Sequence, residues 1–172
     1  MLLEFAAMQD TDALRMIRTI YTEGCRENAS ERYPDATDLT DAIHEEEQGF
    51  LEFLQKFMPQ ERNRYYILEE NGKWVSALRL THFDDFYYLE ALETAEGQRK
   101  KGYATKLLGE VIALLRTRGR VEIRCNVHKK NSPSLATHTK CGFSIAEENG
   151  INYISGTQSQ YVYGMRYTEG VH

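Results

Sequence analysis

The segment from Arg99 to Thr105, with the sequence RKKGYAT, combines positive charge with small residues. Its first three residues supply the charge, and Gly102 and Ala104 leave room for a ligand to approach the backbone. The apolar periodicity that follows predicts a helix, whose first turn has free N–H groups and a partial positive charge. The segment therefore predicts a pyrophosphate cradle, with a solvated basic turn as the alternative.

Two common phosphate motifs do not describe this segment, because the sequence contains neither GxxxxGK(S/T) nor GxGxxG. The segment instead reads Arg99-x-x-Gly102-x-Ala104. One predicted helix, one strand and one loop separate it from a second pattern. That pattern is Asn131-x-x-Ser134-x-x-x-His138-x-x-x-Gly142-Phe143.

The first pattern resembles the coenzyme A pyrophosphate signature of the GNAT N-acetyltransferases, Q/R-x-x-G-x-G/A. The second pattern resembles a later motif of that family, N-x-x-A-x-x-x-Y-x-x-x-G-F, with His138 where the family usually has tyrosine. The order of predicted elements over nearly the whole chain fits as well. On these grounds the sequence is identified as a single GNAT acetyltransferase domain over residues 1–172.

The resemblance implies that Phe86–Thr94 and Val121–Val127 are parallel strands that splay apart around the pantetheine arm of acetyl-coenzyme A, the co-substrate. Backbone groups of residues 92–94 would bind the arm, the N–H groups of residues 99–105 would bind the pyrophosphate, and Asn131 would contact the arm. The implied coenzyme-binding residues are Leu92, Glu93, Thr94, Arg99, Lys100, Lys101, Gly102, Tyr103, Ala104, Thr105, Asn131 and His138.

The implied reaction is direct attack of a primary amine on the acetyl group, with no covalent enzyme intermediate. Glu90 and Glu93 are the candidate bases that take the proton of the amine, and the alternative for each is a solvent-facing glutamate on an exposed sheet face. A base may also act through water, or none is needed if the amine loses its proton before binding. Residues three apart point to opposite faces of a regular strand, so one of the two should face the acetyl group unless a bulge intervenes. His138 is the candidate acid for the departing thiolate; packing or coenzyme contact is the alternative, with water or Tyr103 then supplying the proton.

Hydrophobic periodicity predicts the elements that position these residues. The polar stretch Arg26–Asp38 is interpreted as a loop, and Asn71-Gly72 predicts a hairpin turn. Helices are predicted from about Asp10, Leu39, Gly102 and Ser132, and strands near 1–8, 65–70, 73–80, 86–94, 121–127, 143–147 and 161–167. The order β-α-α-β-β-β-α-β-α-β-β indicates an α+β fold, of the α/β three-layer type, with a mixed, mostly antiparallel sheet flanked by helices.

The composition restricts the classes of partner. A net charge of −5 and a pI of about 5.6 disfavour a nucleic-acid partner and mildly favour cationic substrates. Three separated cysteines indicate reduced thiols in a cytoplasmic protein, and no apolar run is long enough to suggest a membrane span. Four histidines, His44, His82, His128 and His172, show no metal-ligand spacing, so no metal is expected.

The sequence leaves the acceptor open among small amines, antibiotics, amino acids and protein amines. Two other functions remain, a non-catalytic coenzyme A-binding regulatory module and an acyltransferase with a different acyl donor. Tyrosines near both ends of the chain, including Tyr21 and Tyr153, are candidates for the acceptor pocket or simply for sheet formation. An exposed late strand would allow a homodimer.

Overall fold

The computed structural model describes residues 1–170, which form five α-helices, a seven-stranded sheet and a small hairpin. The helices are α1 (Asp10–Ile20), α2 (Thr22–Arg32), α3 (Thr40–Phe57), α4 (Tyr103–Arg116) and α5 (Ser132–Lys140). The strands are β1 (Leu2–Phe5), β2 (Asn63–Glu70), β3 (Lys73–His82), β4 (Tyr87–Thr94), β5 (Glu122–His128), β6 (Ser144–Glu147), β7 (Gly150–Ile151), β8 (Gln158–Ser159) and β9 (Val162–Thr168).

The main sheet has the strand order β1-β2-β3-β4-β5-β9-β6, and β7 pairs with β8 in the hairpin. Every neighbouring pair in the main sheet is antiparallel except β4 and β5, which are parallel. Helix α4 makes the crossover between these two strands. The predicted α+β class with a mixed, mostly antiparallel sheet is confirmed.

Helices cover both faces of the sheet, so its central strands are apolar on both sides. On β2, Tyr65 and Ile67 pack with α1 and α3, while Tyr66 and Leu68 pack with α4 on the opposite face. This alternation follows from the two-residue period of a strand. The sheet therefore separates an α1–α3 layer from an α4 layer.

The hairpin between β2 and β3 is confirmed, because Asn71 and Gly72 both have positive φ, at 51° and 75°. The predicted loop over Arg26–Asp38 is wrong in its first part, since α2 continues to Arg32. Only Cys25 and Ala29 of α2 are buried, so the helix has no apolar periodicity that the sequence would reveal.

Candidate active site

The parallel strands β4 and β5 separate part-way along their length. They pair only where Tyr87–Leu89 lies beside Ile123–Cys125, and the register stops there. Beyond that point β4 keeps its partner β3, and β5 keeps its partner β9. The two strands therefore open into a wedge, as the splayed pair in the sequence interpretation requires.

A cavity of about 640 Å³ occupies the wedge and reaches the N-terminus of α4. We call it the wedge cavity. Its walls come from β4, the loop before α4, and the start of α5. Of the predicted coenzyme-binding residues, those that line it are Leu92, Glu93, Thr94, Arg99, Lys100, Gly102, Tyr103, Ala104, Thr105 and Asn131.

The N-terminus of α4 forms the wall expected to bind a pyrophosphate. Lys106 N donates the first intrahelical hydrogen bond, at 2.9 Å to Gly102 O, so the N–H groups of residues 103–105 precede the helical ladder. Gly102 has φ = +78°, which favours glycine, and a Cβ built there would meet no atom within 4 Å. The wall thus offers open, positively polarised backbone to an anion.

Two predicted contacts lie outside the wedge cavity. Lys101 points to the short 3-10 turn Glu96–Gln98 instead, where its Nζ contacts Gln98 Oε1 at 3.0 Å. His138 is 2% exposed and lies behind the cavity wall, with its ring edge-on to Phe143 at 5.2 Å between centroids. Asn131, which lines the wall, caps α5 by accepting a hydrogen bond from Ser134 N at 3.1 Å.

The buried His138 is held by its own helix. Its Nδ1 lies 2.8 Å from Ser134 O, which can only accept, so the proton belongs on Nδ1. Nε2 is then a bare lone pair, and it has no hydrogen-bond partner among residues 1–170. Burial lowers the pKa of His138, and the Ser134 carbonyl offsets part of that effect. This tautomer has no proton on Nε2 to give, so the acid role stays a prediction without geometric support.

Glu90 and Glu93 do not point to opposite faces, because β4 contains a bulge. Ala91 has φ = +54°, and the register with β3 skips from Glu93 opposite Ala77 to Glu90 opposite Arg79. Leu89 and Leu92, also three apart, both pack into the core on the α4 side. The bulge therefore corrects the regular-strand expectation and brings both glutamates to the α1–α3 face.

A tyrosine pair fixes the bulge from the α1–α3 side. Tyr21 Oη donates to Ala91 O at 2.7 Å, and Tyr65 Oη donates to Tyr21 Oη at 2.7 Å. The Ala91 carbonyl and the Leu92 N–H belong to one trans peptide, in which the two groups point in opposite directions. Because the carbonyl points toward Tyr21, the Leu92 N–H points away from α1. The sequence marked Tyr21 only as a possible acceptor contact, because nothing in it reveals the bulge.

Glu93 lies at the inner end of the wedge cavity in a charged network. Arg99 Nη2 contacts Glu93 Oε1 at 3.0 Å and also binds Glu23 of α2. Burial raises the pKa of Glu93, and the charge of Arg99 opposes the rise. A carboxylate with a raised pKa is a better proton acceptor than an ordinary surface glutamate.

Two further regions of open space flank α3. One, which we call the α2–α3 groove, has a volume of about 330 Å³ and meets the wedge cavity at Glu93. The other, which we call the bulge cleft, consists of two adjoining cavities of about 500 Å³ and 230 Å³. These two cavities share Arg79, Glu90 and Asn152, and the cleft begins at Ala91 of the bulge.

A sequence profile described as the acetyltransferase (GNAT) family matches residues 17–143. The chain belongs to the GNAT acetyltransferase family. No curated protein matches its sequence. The wedge and the open N-terminus of α4 both fall inside the matched range, whereas the β7–β8 hairpin beside the bulge cleft falls outside it.

Solved structures share the GNAT fold over the whole chain at low sequence identity. PaiA N-acetyltransferase from Thermoplasma acidophilum, solved in complex with coenzyme A, has a TM-score of 0.66 and 14% identity, covering 98% of this chain and 99% of that one. Aminoglycoside 6'-acetyltransferase type Ii has a TM-score of 0.63 and 14% identity, with coverages of 98% and 96%. The ribosomal-protein-S18-alanine N-acetyltransferase from Escherichia coli has a TM-score of 0.57 and 17% identity, with coverages of 100% and 99%.

Residues 1–170 show neither a metal site nor a membrane-spanning helix. No group of three or more His, Cys, Asp or Glu side chains there has the arrangement of a metal site, and His172 lies outside the described residues. No helix in the same range combines the length and apolar character needed to cross a membrane.

Proposed function

We propose that the chain is an N-acetyltransferase that transfers the acetyl group of acetyl-coenzyme A to a primary amine. The observation that carries the proposal is the wedge cavity, which runs from the open N-terminus of α4 to the bulge of β4. One end of this cavity offers positively polarised N–H groups that suit a pyrophosphate. The other end offers a carboxylate that can accept the proton of an amine. We also propose that residues 1–172 form one domain.

In this proposal Glu93 is the base and the bulge peptide is the oxyanion donor. The neutral amine attacks the acetyl carbonyl, and its proton passes to Glu93 directly or through a water molecule. The Leu92 N–H, held by Tyr21 through the Ala91 carbonyl, stabilises the negative charge on oxygen. The C–S bond then breaks, and the thiolate takes a proton from water or from Tyr103, which lines the wedge cavity.

Direct attack fits the state of the cysteines. Burial raises the pKa of Cys25, Cys125 and Cys141, so none is held as the thiolate that a covalent intermediate would need. Cys141, although close to the wedge cavity, contacts Thr105 O at 3.6 Å through its Sγ. We therefore expect no acetyl-enzyme when acetyl-coenzyme A is added alone, as measured by intact-protein mass spectrometry.

A second candidate, a coenzyme A-binding module without catalysis, is favoured by one observation: His138 is buried outside the wedge cavity, and its Nε2 has no hydrogen-bond partner among residues 1–170. Thiol release from acetyl-coenzyme A with a panel of primary amines separates the two functions. The enzyme releases thiol and yields an N-acetyl product with at least one amine. Tight donor binding with no thiol release across the panel would support the module. Longer acyl donors in the same assay test the acyltransferase alternative.

The edge of the sheet supports a homodimer as a subsidiary proposal. Strand β6 ends the main sheet, and its Ile145 side chain is 53% exposed. An unpaired edge strand offers backbone groups to a second copy. Sedimentation equilibrium measures the mass directly, and Ile145→Lys should dissociate a dimer built on this edge.

A further inference from the structure

The bulge cleft extends from the proposed site of acetyl transfer toward the C-terminal end of α3. Ala91 and Tyr88 line its inner part, and Phe53 and Phe57 of α3 line its outer part. Arg79 and Glu90 line both parts, so the two cavities adjoin at this ion pair. An amine that reaches the bulge from this side brings the rest of its molecule into the cleft.

The charges that line the bulge cleft are mostly positive, although the whole chain carries a net charge of −5. They are Lys56, Arg62, Arg79 and a single carboxylate, Glu90. Arg79 contacts Glu90 at 3.5 Å, whereas Lys56 and Arg62 pair with no carboxylate in the described part of the chain. The cleft thus keeps positive charge that the protein does not neutralise.

Aromatic rings hold Arg79 in place. Its guanidinium carbon lies 4.6 Å from the Phe53 ring centroid and 5.5 Å from that of Phe57. A planar guanidinium stacked in this way loses little freedom when it binds an oxyanion. Since Arg79 lies opposite Glu90 in the register, it is one residue from the bulge.

We propose that the bulge cleft binds acceptor amines that carry an oxyanion, a carboxylate or a phosphate, several bonds away from the reacting nitrogen. Arg79 binds the oxyanion together with Lys56 and Arg62, which line the outer part of the cleft. The inference rests on the proposed function, because the amine must meet the acetyl group at the bulge. It reverses the weak expectation of cationic substrates drawn from the net charge.

The test uses pairs of acceptors with the same amine and spacer that differ in the oxyanion. 6-Aminohexanoate is compared with 6-aminohexanamide, and 6-aminohexyl phosphate with 6-aminohexanol, by thiol release at saturating acetyl-coenzyme A. The wild type is compared with a Lys56→Gln/Arg62→Gln double variant and with Lys140→Gln/Arg120→Gln, which removes the same charges elsewhere on the surface. Dividing the kcat/KM preference of the variant by that of the wild type cancels the different basicities of the two amines in a pair.

We expect the cleft variant to lose about fivefold or more of the wild-type kcat/KM preference for the oxyanionic member of a pair, and the control variant to keep it. The pair with the larger loss identifies carboxylate or phosphate as the source of the charge. An equal preference in the wild type and the cleft variant, or a preference for the neutral members throughout, overturns the inference while leaving the transferase intact.

Calorimetric titration of the same four compounds into coenzyme A-saturated protein provides a second readout that needs no turnover. If no amine in any panel releases thiol, the proposed function fails. Selective binding of the oxyanionic compounds to wild type but not to Lys56→Gln/Arg62→Gln then still supports the cleft as an anion site. Equal binding by both proteins overturns it.

Discussion

Glu93 and Glu90 lie on one face of β4, yet α3 divides their surroundings into two regions of opposite charge. The α2–α3 groove around Glu93 is lined by three carboxylates and one arginine, whereas the bulge cleft around Glu90 is lined by three cations and one carboxylate. The bulge brings both glutamates to the same face, and the helices then give them different partners. The contrast supports our proposal that Glu93 accepts the proton and that the acceptor contacts the region around Glu90.

The largest expected effect tests that assignment. Glu93→Gln should lower kcat on the order of 100-fold, because general-base catalysis typically contributes that much or more. Glu90→Gln should change kcat far less, since Glu90 lies on the bulge cleft and pairs with Arg79. Steady-state kinetics with one acceptor under matched conditions measures both variants.

The pH–rate profile sharpens the same comparison. A base must be deprotonated, so kcat rises with pH through its pKa, and burial places that limb above the ordinary glutamate value. Glu93→Gln should remove the limb, and Glu90→Gln should keep it. The opposite result for the two variants would exchange their roles.

A smaller effect is expected from the tyrosine that fixes the bulge. Tyr21→Phe removes the hydrogen bond to Ala91 O, which should lower kcat about tenfold and leave the KM for acetyl-coenzyme A nearly unchanged. Tyr65→Phe, one bond further away, should have a weaker effect of the same kind. Unchanged kcat in a folded Tyr21→Phe protein would contradict the positioning role.

The α2–α3 groove gives a test with a stability readout. Gly49 is inside α3 and lines the groove, and a Cβ built there meets no atom within 4 Å. Gly49→Ala should therefore stabilise the protein by about 0.5–1 kcal/mol. If the acceptor binds in the bulge cleft, Gly49→Ala should leave kcat and the acceptor KM unchanged.

The matched control for Gly49→Ala is Gly109→Ala, inside α4, where space is equally open. Both variants should raise the melting temperature in thermal denaturation. A raised acceptor KM in Gly49→Ala alone would place the acceptor in the α2–α3 groove and break the comparison.

The smallest effect concerns stability at low pH. Burial keeps the folded pKa of His138 below its ordinary value of about 6.5, so the unfolded chain takes up that proton first. His138 therefore makes its full contribution to the free energy of unfolding above the ordinary histidine pKa. That contribution falls as the pH drops from there toward the folded pKa. His138→Gln should flatten this part of the urea-unfolding curve measured against pH, and an unchanged slope would contradict a neutral, buried His138.

The donor half of the site could be predicted from sequence because it is local. A loop and the helix that follows bring the residues at 99–105 together, so their spacing in the chain is also their spacing in space. The β2–β3 hairpin was predictable for the same reason, through Asn71 and Gly72. These features depend on a few neighbouring residues.

The bulge and the bulge cleft could not be predicted because they depend on contacts between distant segments. Ala91 is an alanine with positive φ, and the bulge appears only in the skipped register between β4 and β3 and in the hydrogen bond from Tyr21. Arg62 and Arg79 reach the same cleft from different strands. The polar helix α2 was missed because its burial is limited to two side chains.

The measurement that tests the account most directly is calorimetric titration of acetyl-coenzyme A into the wild type and into Gly102→Val. A side chain at Gly102, where φ is +78°, enters the open wall and strains the turn, so the variant should bind at least about tenfold more weakly. The control Gly109→Val changes an exposed glycine inside α4, the helix that follows Gly102, and should bind as the wild type does. Equal affinity of a folded Gly102→Val protein would contradict coenzyme binding in the wedge cavity.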